Sequence, residues 1–450
     1  MTAQERYLEW KNTVKDEELS DELAGLDGNE PEIADRFGKT LAFEENGLRG
    51  LLGAGTNRMN FYTVRKATQG LSAYLLSKKE TPAVAVAYDT RHNSERFAKE
   101  AASVLAANGI KVWFYAAPAP SPMLSYAVRE RFCDAGIVIT AGGCAAAYNG
   151  YKVYGADGCR IGSEEAAAIA AKIEETDVLR GALTVSFEES VTEKKIILLP
   201  DSFWRRYYAR VLKEGVDRAH HYENDLTIVY TPLCGTGAVP VVTTLSLGGF
   251  GNVAAVPEQE KPDSAFSTGE TPDPNCREAL SLALQKAEAC GADLILATDP
   301  DCDRLGVASK EENGYRLFTG KELGVLLLDF IAAARKENGE MPKDPLAVVP
   351  ETLFEAVEST AVSHGVELKK VPAGFCPIGK VISELAEIGQ EERFLFGFTE
   401  DGGYLTGTYA READGVDGAL LVCELANYWK LRGKTLGKVY DDLLKRSEKP

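Results

Sequence analysis

The chain has 450 residues, which at roughly 150 residues per domain suggests about three domains and excludes a small disulfide-stapled scaffold. Hydrophobic residues make up 45% and charged residues 26%, which excludes a disordered or collagen-like chain. With 50 Lys+Arg against 68 Asp+Glu the net charge is −18, which repels nucleic-acid phosphates and anionic lipid surfaces; no local basic cluster offsets it.

The start of the chain is polar and acidic rather than signal-like, and no apolar run approaches the roughly 18 to 20 residues that span a bilayer, so the expected compartment is the cytoplasm. From Thr81 onward, short β-branched runs alternate with helix-period segments, the pattern of βαβ units. The first set predicts a strand at Ala83–Tyr88, a helix at Ser94–Asn108 ending at Gly109, a strand at Lys111–Tyr115, a helix at Pro122–Arg131 and a strand at Gly136–Thr140. The second begins at Leu226 (LTIVY), passes the loop Cys234-Gly235-Thr236-Gly237, and closes with a helix at Arg277–Cys290 and a strand at Asp293–Ala297. The third runs from Leu346 through a helix at Thr352–Ser363, a strand at Glu367–Val371, a helix at Ile378–Ile388 and a strand at Phe394–Phe398. Two helices, Val416–Leu431 and Leu436–Ser447, finish the chain, and the stretches Phe187–Lys194, Glu258–Asp273 and Lys336–Pro345 read as surface connections.

The most specific string is Asp299-Pro300-Asp301-Cys302-Asp303-Arg304, directly after a predicted buried strand. Three carboxylates at alternate positions of an extended turn can face one side, and the carboxyl end of a strand in an open α/β sheet is where ligands bind. Hard carboxylate oxygens suit Mg²⁺, so Asp299, Asp301 and Asp303 are the expected metal ligands, weighed against a purely structural acidic turn. The EF-hand register is absent. Arg304 is a candidate phosphate or carboxylate partner because its fork suits bidentate contacts. His92, His220, His221 and His364 are too dispersed for a ligand set, and Trp204, Tyr207 and Tyr208 at helical spacing read as packing.

The strings Gly47–Gly70 (GLRGLLGAGTNRMNFYTVRKATQG), Tyr148–Ile161 (YNGYKVYGADGCRI), Thr298–Ala308 (TDPDCDRLGVA) and Gly397–Gly407 (GFTEDGGYLTG) resemble the α-D-phosphohexomutase family, in its phosphoglucomutase/phosphomannomutase branch. The resemblance runs collinearly from about Tyr7 to Leu444. It implies consecutive α/β domains with mixed, mostly parallel sheets around a cleft, a phosphoserine that relays a phosphoryl group to a hexose phosphate, and one Mg²⁺ held by the aspartate loop together with the phosphoserine. The expected domains are 1–205, 206–312 and 313–450.

Against the family pattern, the chain departs at polar positions. Where the resemblance implies T-A-S-H-N-P-x-x-Y-N-G, the chain reads Thr140-Ala141-Gly142-Gly143-Cys144-Ala145-Ala146-Ala147-Tyr148-Asn149-Gly150, so Gly142 occupies the phosphoserine position and no phosphoenzyme can form there. Cys234 stands for a histidine, Cys376 and Ala413 for two lysines, and Thr399 and Asp401 for the glutamate and serine of the sugar-reading loop. Arg49 survives at the N-terminal cleft edge, and Arg411 opens the string matching R-D-K-D. Arg49, Arg304, Thr399, Asp401 and Arg411 are therefore the expected substrate contacts. The family's fourth domain carries an R-x-S-G-T-x-P phosphate clamp, and no S-G-T occurs here, so that domain is expected to be absent.

These observations leave several expectations side by side. The first is a mutase-like protein with little or no mutase activity, holding Mg²⁺ weakly and meeting hexose phosphate or phosphate. The second is an active mutase or phosphatase of unusual mechanism, with phosphate held by the Gly142-Gly143 amides. The third is a non-enzymatic regulatory partner in a homo- or hetero-oligomer. A fourth has Cys144, Cys234, Cys302 and Cys376 converging on a soft-metal or redox site, against the reading that small residues merely fill space.

Overall fold

A computed structural model describes residues 1–217 and 225–447; His220 and His221 lie outside the described residues. The chain divides into two compact units, residues Met1–Ala119 with Ala127–Leu199, and Pro120–Tyr126 with Pro200–Pro450.

The first unit begins with three helices that the alternating pattern did not announce: α1 (Ala3–Thr13), α2 (Glu17–Gly25) and α3 (Glu30–Phe37). Their cause is local. Thr2 and Glu5 close a capping box at the start of α1, and Tyr7 and Trp10 then fall on one face, edge-on to Phe37 at 5.7 Å each. After β1 (Leu48–Leu51) and α4 (Phe61–Lys78) come the predicted units: β2 (Ala83–Tyr88), α5 (Ser94–Ala107), β3 (Lys111–Phe114), α6 (Ser121–Glu130), whose residues up to Tyr126 belong to the second unit, and β4 (Ala135–Ile139). β5 (Tyr148–Gly155), α7 (Ser163–Glu174), α8 (Phe187–Thr192) and β6 (Ile196–Leu198) complete it. The sheet order is β1-β5-β4-β2-β3-β6, with β4, β2, β3 and β6 parallel and β5 and β1 antiparallel at one edge. Phe187–Lys194, expected as a connection, is mostly helical because Ser186 caps the amide of Glu189.

In the second unit, α9 (Asp201–Glu214) precedes β7 (Ile228–Thr231), α10 (Ala238–Leu247), β8 (Val253–Ala255), α11 (Pro257–Glu260), α12 (Ser281–Cys290) and β9 (Leu294–Thr298). Tyr207 and Tyr208 on α9 are buried, as packing residues should be. The hairpin β10 (Leu305–Glu311) and β11 (Gly314–Phe318) gives the order β11-β10-β9-β7-β8. Val229, Ile295, Ala308 and Leu280 form its core. A third sheet follows α13 (Gly320–Glu337): β12 (Leu346–Pro350), α14 (Phe354–His364), β13 (Glu367–Val371), α15 (Cys376–Glu387), β14 (Phe394–Phe398) and β15 (Tyr404–Leu405), in the order β13-β12-β14-β15. Helices α16 (Gly415–Lys430) and α17 (Leu436–Ser447) end it. All three sheets mix a parallel centre with an antiparallel edge, which matches the expected mixed, mostly parallel sheets of consecutive α/β domains.

Candidate metal loop and phosphoryl-transfer loop

The loop after β9 is built as a turn whose first residue ties the rest. Cys302 N–H donates to Asp299 O at 2.9 Å, with Pro300 at the second turn position, where its fixed φ is favourable. Cys302 then takes φ 55°, in the left-handed region. The Asp299 carboxylate closes the loop, its Oδ1 accepting from the amides of Asp303 (3.2 Å) and Arg304 (3.1 Å). Asp299, Asp301 and Asp303 are all buried, and one oxygen of each lies within 4.8 Å of the others.

Such a cluster is electrostatically poor by itself. Burial, then the charges of Asp303 and Asp301, push the Asp299 carboxyl well above the usual carboxylate range, against the pull of Arg304. A divalent cation would remove that repulsion, and an all-oxygen, all-carboxylate donor set suits Mg²⁺. The residues present therefore fit the metal that the resemblance implies.

Arg304 lies folded back onto this loop. Its Nε donates to Asp299 Oδ2 at 3.2 Å and stands 4.0 Å from Asp303, while one terminal nitrogen is 3.7 Å from Asp273. Burial alone would weaken the cation, but the charges of Asp299, Asp303 and Asp273 more than offset it. Of the two partners expected for Arg304, the structure shows the carboxylate.

A second loop, at Gly397–Gly403, joins the metal loop through Leu305 N–H, which donates to Gly402 O at 2.8 Å. Gly402 has φ +87°, and a Cβ there would lie 2.7 Å from Leu305 O, so glycine is required. Thr399 is buried, its hydroxyl donating to Asp401 Oδ1 (2.5 Å) and accepting from Gly403 N–H (3.2 Å). Thr399 thus shapes the turn. Asp401 and Glu400 are exposed, Glu400 accepting a bond from Thr352 Oγ1.

Arg411 requires a correction. Expected as a substrate cation, it has a side chain 0% exposed and donates to Thr408 O (2.6 Å), Ala410 O (3.1 Å), Ser383 Oγ (3.3 Å) and Glu391 Oε2 (3.3 Å). A guanidinium enclosed by main-chain carbonyls holds the β15–α16 loop together rather than meeting a ligand from solvent.

In the first unit, Gly142 has φ +56° and its N–H donates to Thr140 Oγ1 at 3.0 Å. Thr140 is buried, so the nearby hydroxyl lies inside the fold as the acceptor of that amide. Arg91, which no sequence motif marks, underlies the loop and donates to the carbonyls of Gly142, Cys144, Ala145 and Tyr148. Arg49 is exposed on β1, one guanidinium nitrogen 3.9 Å from Cys144 Sγ.

The thiols form no metal cluster: among the described residues the Asp299–Asp301–Asp303 group is the sole one with three or more potential ligands together. Burial pushes the Cys234 thiol up to about 11 and raises Cys302 well above its ordinary value, which disfavours the thiolate that a soft metal needs. His92 and His364 sit beside Glu18 and Asp329, each away from the metal loop in its contacts. No helix among the described residues is long and apolar enough to cross a membrane.

Comparison with known proteins agrees with this geometry. The α/β/α domains I, II and III of phosphoglucomutase/phosphomannomutase match residues 40–180, 205–314 and 320–447 in order. A phosphoglucomutase of Staphylococcus haemolyticus is 34% identical over 402 residues, 89% of this chain and 71% of that protein. A probable phosphoribomutase of Schizosaccharomyces pombe is 33% identical over 460 aligned positions, 98% of this chain and 76% of that one. The crystal structure of a putative phosphomannomutase from Thermus thermophilus superposes with a TM-score of 0.72 at 25% identity, covering 90% of this chain and 83% of that one. Three matched domains in unbroken order, each carrying its own mixed sheet, leave one conclusion: the chain belongs to the phosphoglucomutase/phosphomannomutase family.

Proposed function

We propose that this chain is a mutase-like protein of hexose-phosphate metabolism that binds Mg²⁺ at Asp299, Asp301 and Asp303 and does not turn hexose phosphate over through a phosphoenzyme. The observation that carries the reading is Gly142, whose position in the loop offers no hydroxyl. The hydroxyl of Thr140, two residues earlier, is buried and accepts from Gly142 N–H. In the first unit, Arg49 is the exposed cation left to meet a phosphate; in the second, Mg²⁺ in the aspartate loop would supply positive charge to a phosphate oxygen, and Asp401 with Glu400 at the loop after β14 are exposed to meet a sugar. Arg304 and Thr399 act behind them, as supports. We place the protein in the cytoplasm, where hexose phosphates occur, and a mixed oligomer with an intact homologue is consistent with a regulatory role.

The names of the relatives favour a second reading, in which the chain is an active mutase that draws its phosphoryl group from a diffusible bisphosphate. A coupled assay with glucose 1-phosphate, glucose 1,6-bisphosphate and Mg²⁺ separates the two. Turnover at background supports the first; saturable turnover that depends on bisphosphate establishes the second.

A further inference from the structure

We propose that Ser121 is a positioning residue of the metal loop: with its side chain and its main chain it presets the Asp301 carboxylate for a divalent cation. The inference rests on the reading that Asp299, Asp301 and Asp303 hold such an ion. Ser121 Oγ donates to Asp301 Oδ2 at 2.7 Å, and Ser121 N–H donates to Asp301 O at 2.8 Å. One residue therefore fixes both the backbone and the carboxylate of a loop member 180 positions away. Both belong to the second compact unit, through its segment Pro120–Tyr126.

The surroundings make Ser121 a rigid donor. It is 0% exposed, it opens α6, and it lies between Pro120 and Pro122. Pro122 restricts the backbone of the residue before it, and Pro120 O accepts from the amides of Met123 (3.0 Å) and Leu124 (3.3 Å), which pins the first turn. A hydroxyl so held costs little ordering when the ion arrives. It also fixes which carboxylate oxygen faces the protein, so the orientation of Asp301 is set before the ligand binds.

Removing an outer-shell partner of a metal ligand typically weakens metal affinity about 10- to 100-fold. Ser121→Ala should do so here, while Ser121→Thr, which keeps the hydroxyl, should restore binding, and Ser121→Cys, a weak donor, should fall between. The measurement is Mn²⁺ affinity by electron paramagnetic resonance on the full chain, beside urea midpoints for each variant. A graded affinity series Ser ≈ Thr > Cys > Ala supports the proposal. Wild-type affinity in Ser121→Ala, with binding still abolished by Asp303→Asn, overturns it and leaves the metal reading standing. An absence of Mn²⁺ binding in the wild type overturns both. If Ser121→Ala does not fold, the Thr and Cys variants decide: equal affinities overturn the inference.

Discussion

Arg91 donates to the carbonyl oxygen of Gly142 at 2.5 Å, and the same guanidinium reaches Cys144 O at 2.6 Å, Ala145 O at 3.0 Å and Tyr148 O at 3.1 Å. The loop that carries phosphoryl chemistry in the family is thus held here by its own carbonyls. Its shape does not depend on a side chain at position 142. Scaffold and side-chain chemistry are separable at this site, since the loop keeps its path with glycine at position 142.

Arg91→Ala should therefore be severe. Arg91 and Asp89 are both fully buried and 3.3 Å apart, and removing one partner of a buried pair costs about 3–5 kcal/mol. Burial holds the Asp89 carboxyl above its ordinary value, with Arg91 pulling the other way, so the variant should push it higher still. A carboxyl raised on folding binds its proton more tightly in the native state; its stabilising share is present at acid pH and lost as pH rises through the folded value. Urea midpoints of Arg91→Ala should then lag the wild type most at neutral pH and less at acid pH. A deficit that stays constant with pH would contradict the Asp89 assignment.

Gly142→Ser returns the hydroxyl to the expected position, but at φ +56° a non-glycine residue is strained by about 1–2 kcal/mol. The expected outcome is a lower urea midpoint and no gain in mutase turnover, since Cys376 and Ala413 still replace the two cations expected beside phosphate. Turnover above that of the wild type would show that the hydroxyl at position 142 alone limits the chemistry.

The aspartate cluster was legible because it is contiguous: three aspartates in five residues after an apolar strand come together through one local turn. Arg411 was misread because a motif reports charge and not burial, and only the packed chain shows its fork enclosed. Ser121 and Asp301 meet across 180 residues, beyond any local pattern. The helices α1 to α3 did leave a signal, the Thr2–Glu5 capping box and the Tyr7–Trp10 spacing, but they lie outside the βαβ alternation that organised the reading. The antiparallel strands β1, β5, β10 and β11 were passed over for the same reason, because they do not follow that alternation.

Asp303→Asn tests the electrostatics of the metal loop. The three buried carboxylates lie together and the charges of Asp303 and Asp301 bear on Asp299, so removing one of them should raise the melting temperature of the metal-free protein by a few degrees. If the wild type binds Mg²⁺ there, the ion would stabilise it by about 2.7 kcal/mol at a concentration 100 times Kd, and the variant should lose that stabilisation. Scanning calorimetry with and without Mg²⁺ reads both effects. Equal Mg²⁺ shifts in the two proteins would remove Asp303 from the ligand set.

Asp414 joins the third sheet to the metal loop, and its replacement should weaken both. Its Oδ2 accepts from Tyr207 (2.6 Å) and Tyr409 (2.7 Å), and its Oδ1 caps α16 at the amides of Val416 (2.8 Å) and Asp417 (3.3 Å). The next residue, Gly415, donates its N–H to Cys302 O at the tip of the aspartate turn, 2.9 Å away. Tyr207→Phe removes one bond to a carboxylate and should cost about 1.5–3 kcal/mol. Asp414→Ala leaves two buried phenols and two helix amides without their acceptor and should cost more than any single one of these bonds. It should also reduce Mn²⁺ affinity, because the start of α16 no longer fixes Cys302 O, whereas Tyr207→Phe leaves the helix cap intact and should reduce stability without reducing affinity. Equal loss of affinity in both variants would mean that global loosening, and not the Asp414–Gly415–Cys302 connection, controls the loop.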